Sequence, residues 1–144
     1  MGVDIELYVE VLTENGWEFY KEADINRNYA LFAKLADVRN PGGIKPIAFP
    51  RGLPYTASPK VKKAFTGTEY DPCESYAISH IDSREIVELF DWVGQSYSFD
   101  LEDDIELAIM GIDLEGQSFS GFFRFKEDYP EWIEDIRFVF GFNC

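Results

Sequence analysis

Three arginines spaced twelve residues apart, Arg27, Arg39 and Arg51, are the residues of this chain best suited to binding chemistry. A guanidinium presents a planar fork of N–H donors that matches phosphate or carboxylate, so arginines in series point to an anion. Asn28 adds an amide beside Arg27, at a helix start where free backbone N–H groups also attract negative charge. Tyr29 offers a flat face for a ring, as do Phe49 and Tyr55, and Lys45 adds a positive charge between Arg39 and Arg51. His80 is the one histidine of the chain, suited to donate to a phosphate or to serve as a general acid or base. Its neighbours Ser79, Asp82 and Ser83 read better as a helix cap than as catalytic partners, and a lone histidine on a strand-to-helix bend is more often structural.

Charge sets this stretch apart. Between Lys21 and Lys63 lie nine of the thirteen lysines and arginines against three acids, Glu22, Asp24 and Asp37. The rest of the chain carries twenty-four acids and four bases, and the net charge is −14. Polymeric DNA or RNA is excluded as a partner, because phosphate contacts need a basic face. A local pocket for one small anion is compatible with this balance, and a nucleotide-like molecule is the leading expectation. Two alternatives stand beside it. The arginines could pair with the acidic body and hold loop to sheet, and the acidic surface could itself occupy a partner's basic groove.

Other chemistries find little material. Cys73 and Cys144 are too few and too far apart for a metal site or a redox pair, which suits reduced thiols in a cytoplasmic protein. Glu102, Asp103, Asp104 and Glu106 place carboxylates one helical turn apart, but a solvated helix start accounts for them. Gly42-Gly43-Ile44-Lys45-Pro46 lacks phosphate-loop spacing, and its proline forbids the helix that should follow. No cofactor and no metal are expected. No run approaches the ~20 apolar residues of a membrane helix, and the opening residues do not resemble a signal peptide, so no membrane is expected either.

The elements that must position these residues follow from periodicity. Residues 3–12 alternate apolar and polar as a half-buried strand, and Glu14-Asn15-Gly16 turns it into a return strand over 17–20. Asn26 or Asn28 caps a helix over 29–38, which Asn40-Pro41-Gly42-Gly43 stops. Four prolines and glycines keep residues 44–55 in an ordered loop, with Ile47, Phe49 and Leu53 expected to be buried. Ser58-Pro59 opens a second, lysine-bearing helix. A short strand is expected over 76–81, then a helix over 84–93 with Asp82 or Ser83 as its cap. A further helix spans 101–114, with a strand over 108–113 as its alternative, and another strand covers 119–125. A turn at 129–132 leads to a final strand over 136–142, whose alternation places it within the sheet. The fold class is α+β in a single domain, residues 1–144: a small, mostly antiparallel sheet from the N-terminal hairpin and C-terminal strands, packed with three or four helices. If the apolar final strand lies at an edge of the sheet, a second copy could pair with it and form a homo-oligomer.

The block from Arg27 through Leu31-Phe32-Ala33, Leu35-Ala36 and Val38-Arg39-Asn40, followed by Pro46-Ile47-Ala48 and Pro50-Arg51-Gly52-Leu53-Pro54 to Ser58, resembles a group of small proteins of bacteriophages and their hosts. The similarity extends more weakly through Ser79-His80 to Asp91-Trp92. The resemblance implies a phage or prophage context, action in the host cytoplasm and a role against host defences; it transfers no activity. One departure is that group members are richer in histidine before the third helix, whereas here a single His80 is followed by Ile81. The leading functional expectation is capture without turnover: a sponge for an anionic, nucleotide-derived host signal, using Arg27, Asn28, Tyr29, Arg39, Lys45, Arg51 and His80. An acidic inhibitor of a host protein, and a hydrolase or lyase with His80 as acid or base, are the alternatives.

Overall fold

Alternating apolar side chains from Ile5 to Val11 make β1, Asp4–Thr13, and the turn at Glu14-Asn15 returns it as β2, Gly16–Ala23. Gly16, at φ +102°, takes the backbone conformation that an L side chain would resist. The computed structural model of the chain describes residues 2–23, 25, 27–66, 75–96, 113–114, 117–118 and 126–143. Within these, helix α1 spans Tyr29–Ala36, α2 Pro59–Thr66 and α3 Ser83–Ser96; β3 is Tyr76–Ile81, β4 Asp113–Leu114, β5 Gln117–Ser118 and β6 Asp135–Asn143. Four strands form one antiparallel sheet in the order β2-β1-β6-β3, and β4 pairs with β5 in a separate ladder. The expected α+β class holds, with β1 of the hairpin and the C-terminal strand β6 at the centre of the sheet.

The sheet is covered on both faces. Ile5, Leu7, Val9 and Val11 of β1 share one face with Ile136, Phe138, Phe140 and Phe142 of β6, and α1 (Leu31, Phe32, Leu35) and α3 (Ile86, Leu89, Phe90) pack on it. The other face presents Tyr8 and Val139 to Val61 and Phe65 of α2 and to Leu53 of the long loop. Strand β6 is therefore buried from residue 136 to residue 142. Removing a phenylalanine from this strand to water is worth about 1.5–3 kcal/mol each before any cavity term. Gly141 is required for a different reason: a Cβ there would lie 2.9 Å from Cε1 of Phe65, so α2 approaches the sheet over a bare backbone.

Helix ends follow their local sequence. Asn28 is the N-cap of α1, its side chain accepting from the Leu31 N–H at 3.1 Å, and Asp37 closes the helix at φ 61° with its N–H on the Ala33 carbonyl. Ahead of α3, Asp82 accepts from the Glu85 N–H at 2.9 Å while the Asp82 N–H donates back to the Glu85 carboxylate at 3.1 Å, a reciprocal capping box.

Several expectations are corrected. Strand β6 lies within the sheet, as its apolar alternation predicts, paired with β1 on one side and β3 on the other; the alternative, an edge that recruits a second copy, does not exist there. Residues 113–114 are strand, not the end of the helix over 101–114; Asp113 falls in the alternative strand over 108–113. The remainder of that helix, its carboxylates at Glu102, Asp103, Asp104 and Glu106, the strand over 119–125, Cys73 and Cys144 lie outside the described residues. Ile47 and Leu53 are partly buried, but Phe49 is 69 % exposed. Among the described residues no helix is long and apolar enough to cross a membrane.

Candidate functional site

Directly after α1 come two non-glycine residues with positive φ, Asp37 and Arg39, the latter at 51°. Such a conformation costs on the order of 1–2 kcal/mol for an L residue and persists where the surroundings fix it. Asn40 does the fixing. Its amide nitrogen donates to the Asp37 carboxylate at 2.7 Å and to the Ile44 carbonyl at 2.6 Å, and its oxygen accepts from the Ile44 N–H at 2.8 Å. The side chain thus closes residues 40–44 as a strand partner would, and aims Arg39 back toward α1. There the Arg39 Cζ stands 5.8 Å from the centre of the Tyr29 ring. A guanidinium over an aromatic face at that range is attracted by the ring's negative face.

Tyr29 is held at both ends. Its hydroxyl accepts from the Val3 N–H at 3.2 Å and its ring meets Phe32 edge-on at 5.8 Å. Between α1 and the 40–44 loop runs a cleft of about 340 Å³, lined by Tyr29, Ala30, Ala33, Arg39, Asn40, Pro41, Gly42 and Ile44. Its walls are mostly apolar, with one guanidinium at the rim.

The remaining arginines have other tasks. Arg27 donates from Nε to Asp4 at 3.0 Å and lies against Gly2; its guanidinium is held more firmly protonated, chiefly by that hydrogen bond, with the Tyr29 hydroxyl contributing. Arg27 and Arg39 accordingly gather at opposite parts of Tyr29. Arg51 is elsewhere. Its two terminal nitrogens each reach a Glu85 oxygen at 2.6 Å, Nη1 also donates to the His80 carbonyl, and its backbone N–H donates to Ser79. Burial raises the Glu85 carboxyl, but the fork from Arg51, the Asp82 N–H and the Arg51 charge outweigh it, so the group titrates below its ordinary value. The Gly52 N–H donates to the Ile78 carbonyl at 2.7 Å, laying the loop along the outer edge of β3. His80 Nδ1 is 3.2 Å from the Gly52 carbonyl, an acceptor only, so Nδ1 carries the proton.

The three arginines do not meet in one cleft. Tyr29 and Arg39 line the same one, with Arg27 and Asn28 at its helix start; Arg51 and His80 form a separate knot with Glu85. Asn28 spends its side chain on the cap, and Lys45 is exposed, contributing its carbonyl to the Lys34 ammonium at 3.2 Å. The apolar lining, Ala30, Ala33, Pro41 and Ile44, went unanticipated; the run Asn40-Pro41-Gly42-Gly43 marked the turn but not the wall it builds.

Two other clefts are notable. One of about 480 Å³ at the start of α3 mixes Asp82, Glu127 and Asp135 with Arg84 and Lys126, and its charges already serve the fold, Asp82 as cap and Lys126 at 3.7 Å from Asp135. Another, about 380 Å³ at the hairpin tip, gathers Glu14, Glu18, Glu131 and Glu134 around Trp132. Among the described residues no cluster of three or more histidines, cysteines or carboxylates is arranged to hold a metal. Compared with known proteins, the chain matches no family model, no curated protein and no solved structure.

Proposed function

We propose that this protein binds a small anionic, ring-bearing molecule in the cleft between α1 and the 40–44 loop and retains it without turnover. The observation that carries this reading is Arg39: a residue held in a costly backbone conformation, its guanidinium fixed over Tyr29 at the mouth of an apolar cleft. Nucleotide-derived signals belong to the class of ligand such a site suits. With the resemblance to phage proteins, the reading becomes a sponge acting in the host cytoplasm against a defence signal. The test is to incubate the protein with host extract, repurify it, denature it and weigh what is released. An intact small molecule recovered from wild type but not from Arg39→Gln or Ala30→Leu supports capture; a chemically altered product would favour a hydrolase or lyase, and an empty extract counts against the cleft.

A second reading is favoured by one observation, the four glutamates around Trp132, which is 39 % exposed. Carboxylates around an exposed indole suit a lysine- or arginine-bearing partner. Under this reading the protein is an acidic inhibitor of a basic host protein. Association that falls steeply with salt and is lost on Glu131→Lys with Glu134→Lys, yet survives Arg39→Gln, would support it.

A further inference from the structure

We infer that the outward side of α2, headed by Tyr55, is a docking surface for a short acidic segment of another protein. From residue 38 to residue 68 the chain has six lysines and arginines and no carboxylate, although its acids outnumber its bases by 27 to 13. Three of those cations, Lys60, Lys62 and Lys63, fall on the eight residues of α2. A helix start carries a partial positive charge and favours acids in its first turn. Helix α2 has none there and places Lys60 in that turn, whereas α3 follows the rule with Glu85. The carboxylate beneath does not correct this: Glu10 accepts from the Ser58 N–H, but Arg137 already balances its charge. Lys60 and Lys63, one turn apart, also repel each other. Local preferences broken in this way cost stability and mark a surface kept for another purpose.

Packing fixes where these charges point. Val61 and Phe65 face Tyr8 and Val139 of the sheet, so the three lysines fan over the opposite side, all exposed. Lys60 Nζ lies 4.0 Å from the centre of the Phe19 ring, which holds its charge in place. At the head of the helix Tyr55 is 100 % exposed, on a turn fixed from beneath. The Ala57 N–H donates to the Pro54 carbonyl at 3.0 Å, Arg137 to Thr56 at 2.9 Å and the Ser58 N–H to Glu10 at 2.7 Å. A whole aromatic side chain is thus offered beside three cations on rigid backbone, and little ordering is lost when a partner covers it. Size selects the partner. An eight-residue helix is about 12 Å long, and at physiological salt a charge is felt over about 8 Å. Beyond that reach the net −14 of the chain repels an extended polyanion or an anionic bilayer. An extended segment of four or five residues spans about 13–17 Å, so one alternating carboxylates with apolar residues meets the lysines and Tyr55 and reaches no farther.

Fluorescence anisotropy with a labelled peptide alternating glutamate and leucine tests this. Its glutamine counterpart and single-stranded DNA are the other labelled probes, and co-sedimentation measures binding to phosphatidylglycerol vesicles. The glutamate peptide should bind about tenfold more tightly than each of the others. Lys62→Gln with Lys63→Gln, and separately Tyr55→Ser, should each remove that margin; all three positions are exposed, so the thermal melt should not move. Lys126→Gln, at an exposed lysine 3.7 Å from Asp135, should bind the peptide as wild type does. The inference is overturned if the peptide does not bind, if the α2 and Tyr55 variants bind it unchanged, or if Lys126→Gln weakens it equally. Tighter binding of DNA or vesicles than of the peptide overturns it too.

Discussion

Glu10 and Arg137 face each other across β1 and β6, fully buried and 7 % exposed respectively, 127 residues apart in the chain. Arg137 Nε donates to one Glu10 oxygen at 2.7 Å, the Ser58 N–H donates to the other at 2.7 Å, Nη1 reaches Thr56 and the guanidinium lies 4.0 Å over Trp17. Nη2 is also 2.7 Å from the first oxygen, yet off the direction a hydrogen bond needs; electrostatic contact remains, although Nη2 and the Ser58 hydroxyl make no hydrogen bond. Replacing Arg137 by Met leaves a buried carboxylate with a single donor, and breaking such a pair costs about 3–5 kcal/mol. Against a total of roughly 5–15 kcal/mol for a domain of this kind, that is a large share. At about 3–4 °C per kcal/mol, Tm should fall by about 10–20 °C. Glu10→Leu should cost less, because the guanidinium keeps Thr56 and the Trp17 face. The double variant Glu10→Leu with Arg137→Met removes both charges and should lie within about 1 kcal/mol of wild type. Urea denaturation followed by tryptophan fluorescence measures all four proteins. Simple additivity, with a coupling below about 0.5 kcal/mol, would refute the claim that these two charges stabilise one another.

Other outcomes follow from the same geometry. Arg39→Gly relieves the positive φ and loses the contact with Tyr29, so Tm should stay within about 3 °C of wild type while ligand binding is lost. The lowered Glu85 pKa means its contribution is present at neutral pH and disappears as pH drops below 4.5; Arg51→Gln should flatten that part of the acid profile and cost about 1 kcal/mol once the partial exposure of Arg51 is discounted. Burial first, then the nearby Asp135 charge, pushes the Tyr129 hydroxyl up to about 12, so stability should decline with rising alkalinity above pH 10, where the unfolded chain ionises and the native one does not; Tyr129→Phe should blunt the decline. Gly141→Ala should cost about 1–3 kcal/mol by thermal melting, with Phe65→Leu recovering part of the loss.

Local signals carried most of the architecture. Alternation in residues 3–12, the Asn15-Gly16 turn, the Asn28 and Asp82 caps and Pro59 at a helix start are short-range features, and each element begins within a residue of where they put it, although β2 runs on to Ala23, α1 stops at Ala36 rather than 38 and α3 continues to Ser96 rather than 93. The site was harder to read because its charges are settled over long separations. Asp4 meets Arg27 across 23 residues and Glu85 meets Arg51 across 34, distances over which spacing holds no information. The twelve-residue interval among the arginines is likewise blind to the path of the loop: Gly52 binds the edge of β3, which carries Arg51 away from Arg39. A cationic stretch can thus be positive in sequence while several of its members are matched within the fold. Arg39 was legible as a charged residue, but its backbone conformation depends on Asn40, whose amide could as well have been an ordinary turn residue.

The lie of residues 51–52 along β3 bears on how the protein behaves when crowded. An open strand edge is a template on which neighbouring chains can grow into fibrils, and here one flank of the sheet is already occupied by the chain's own loop, flanked by Pro50 and Pro54. The opposite flank, β2, is kinked by a bulge opposite Val9 and Glu10 and carries Glu18, Lys21 and Glu22. A sheet finished in this way on both sides offers neighbouring chains little to grow on, and stoichiometric capture, the function proposed above, would call for that at high copy number.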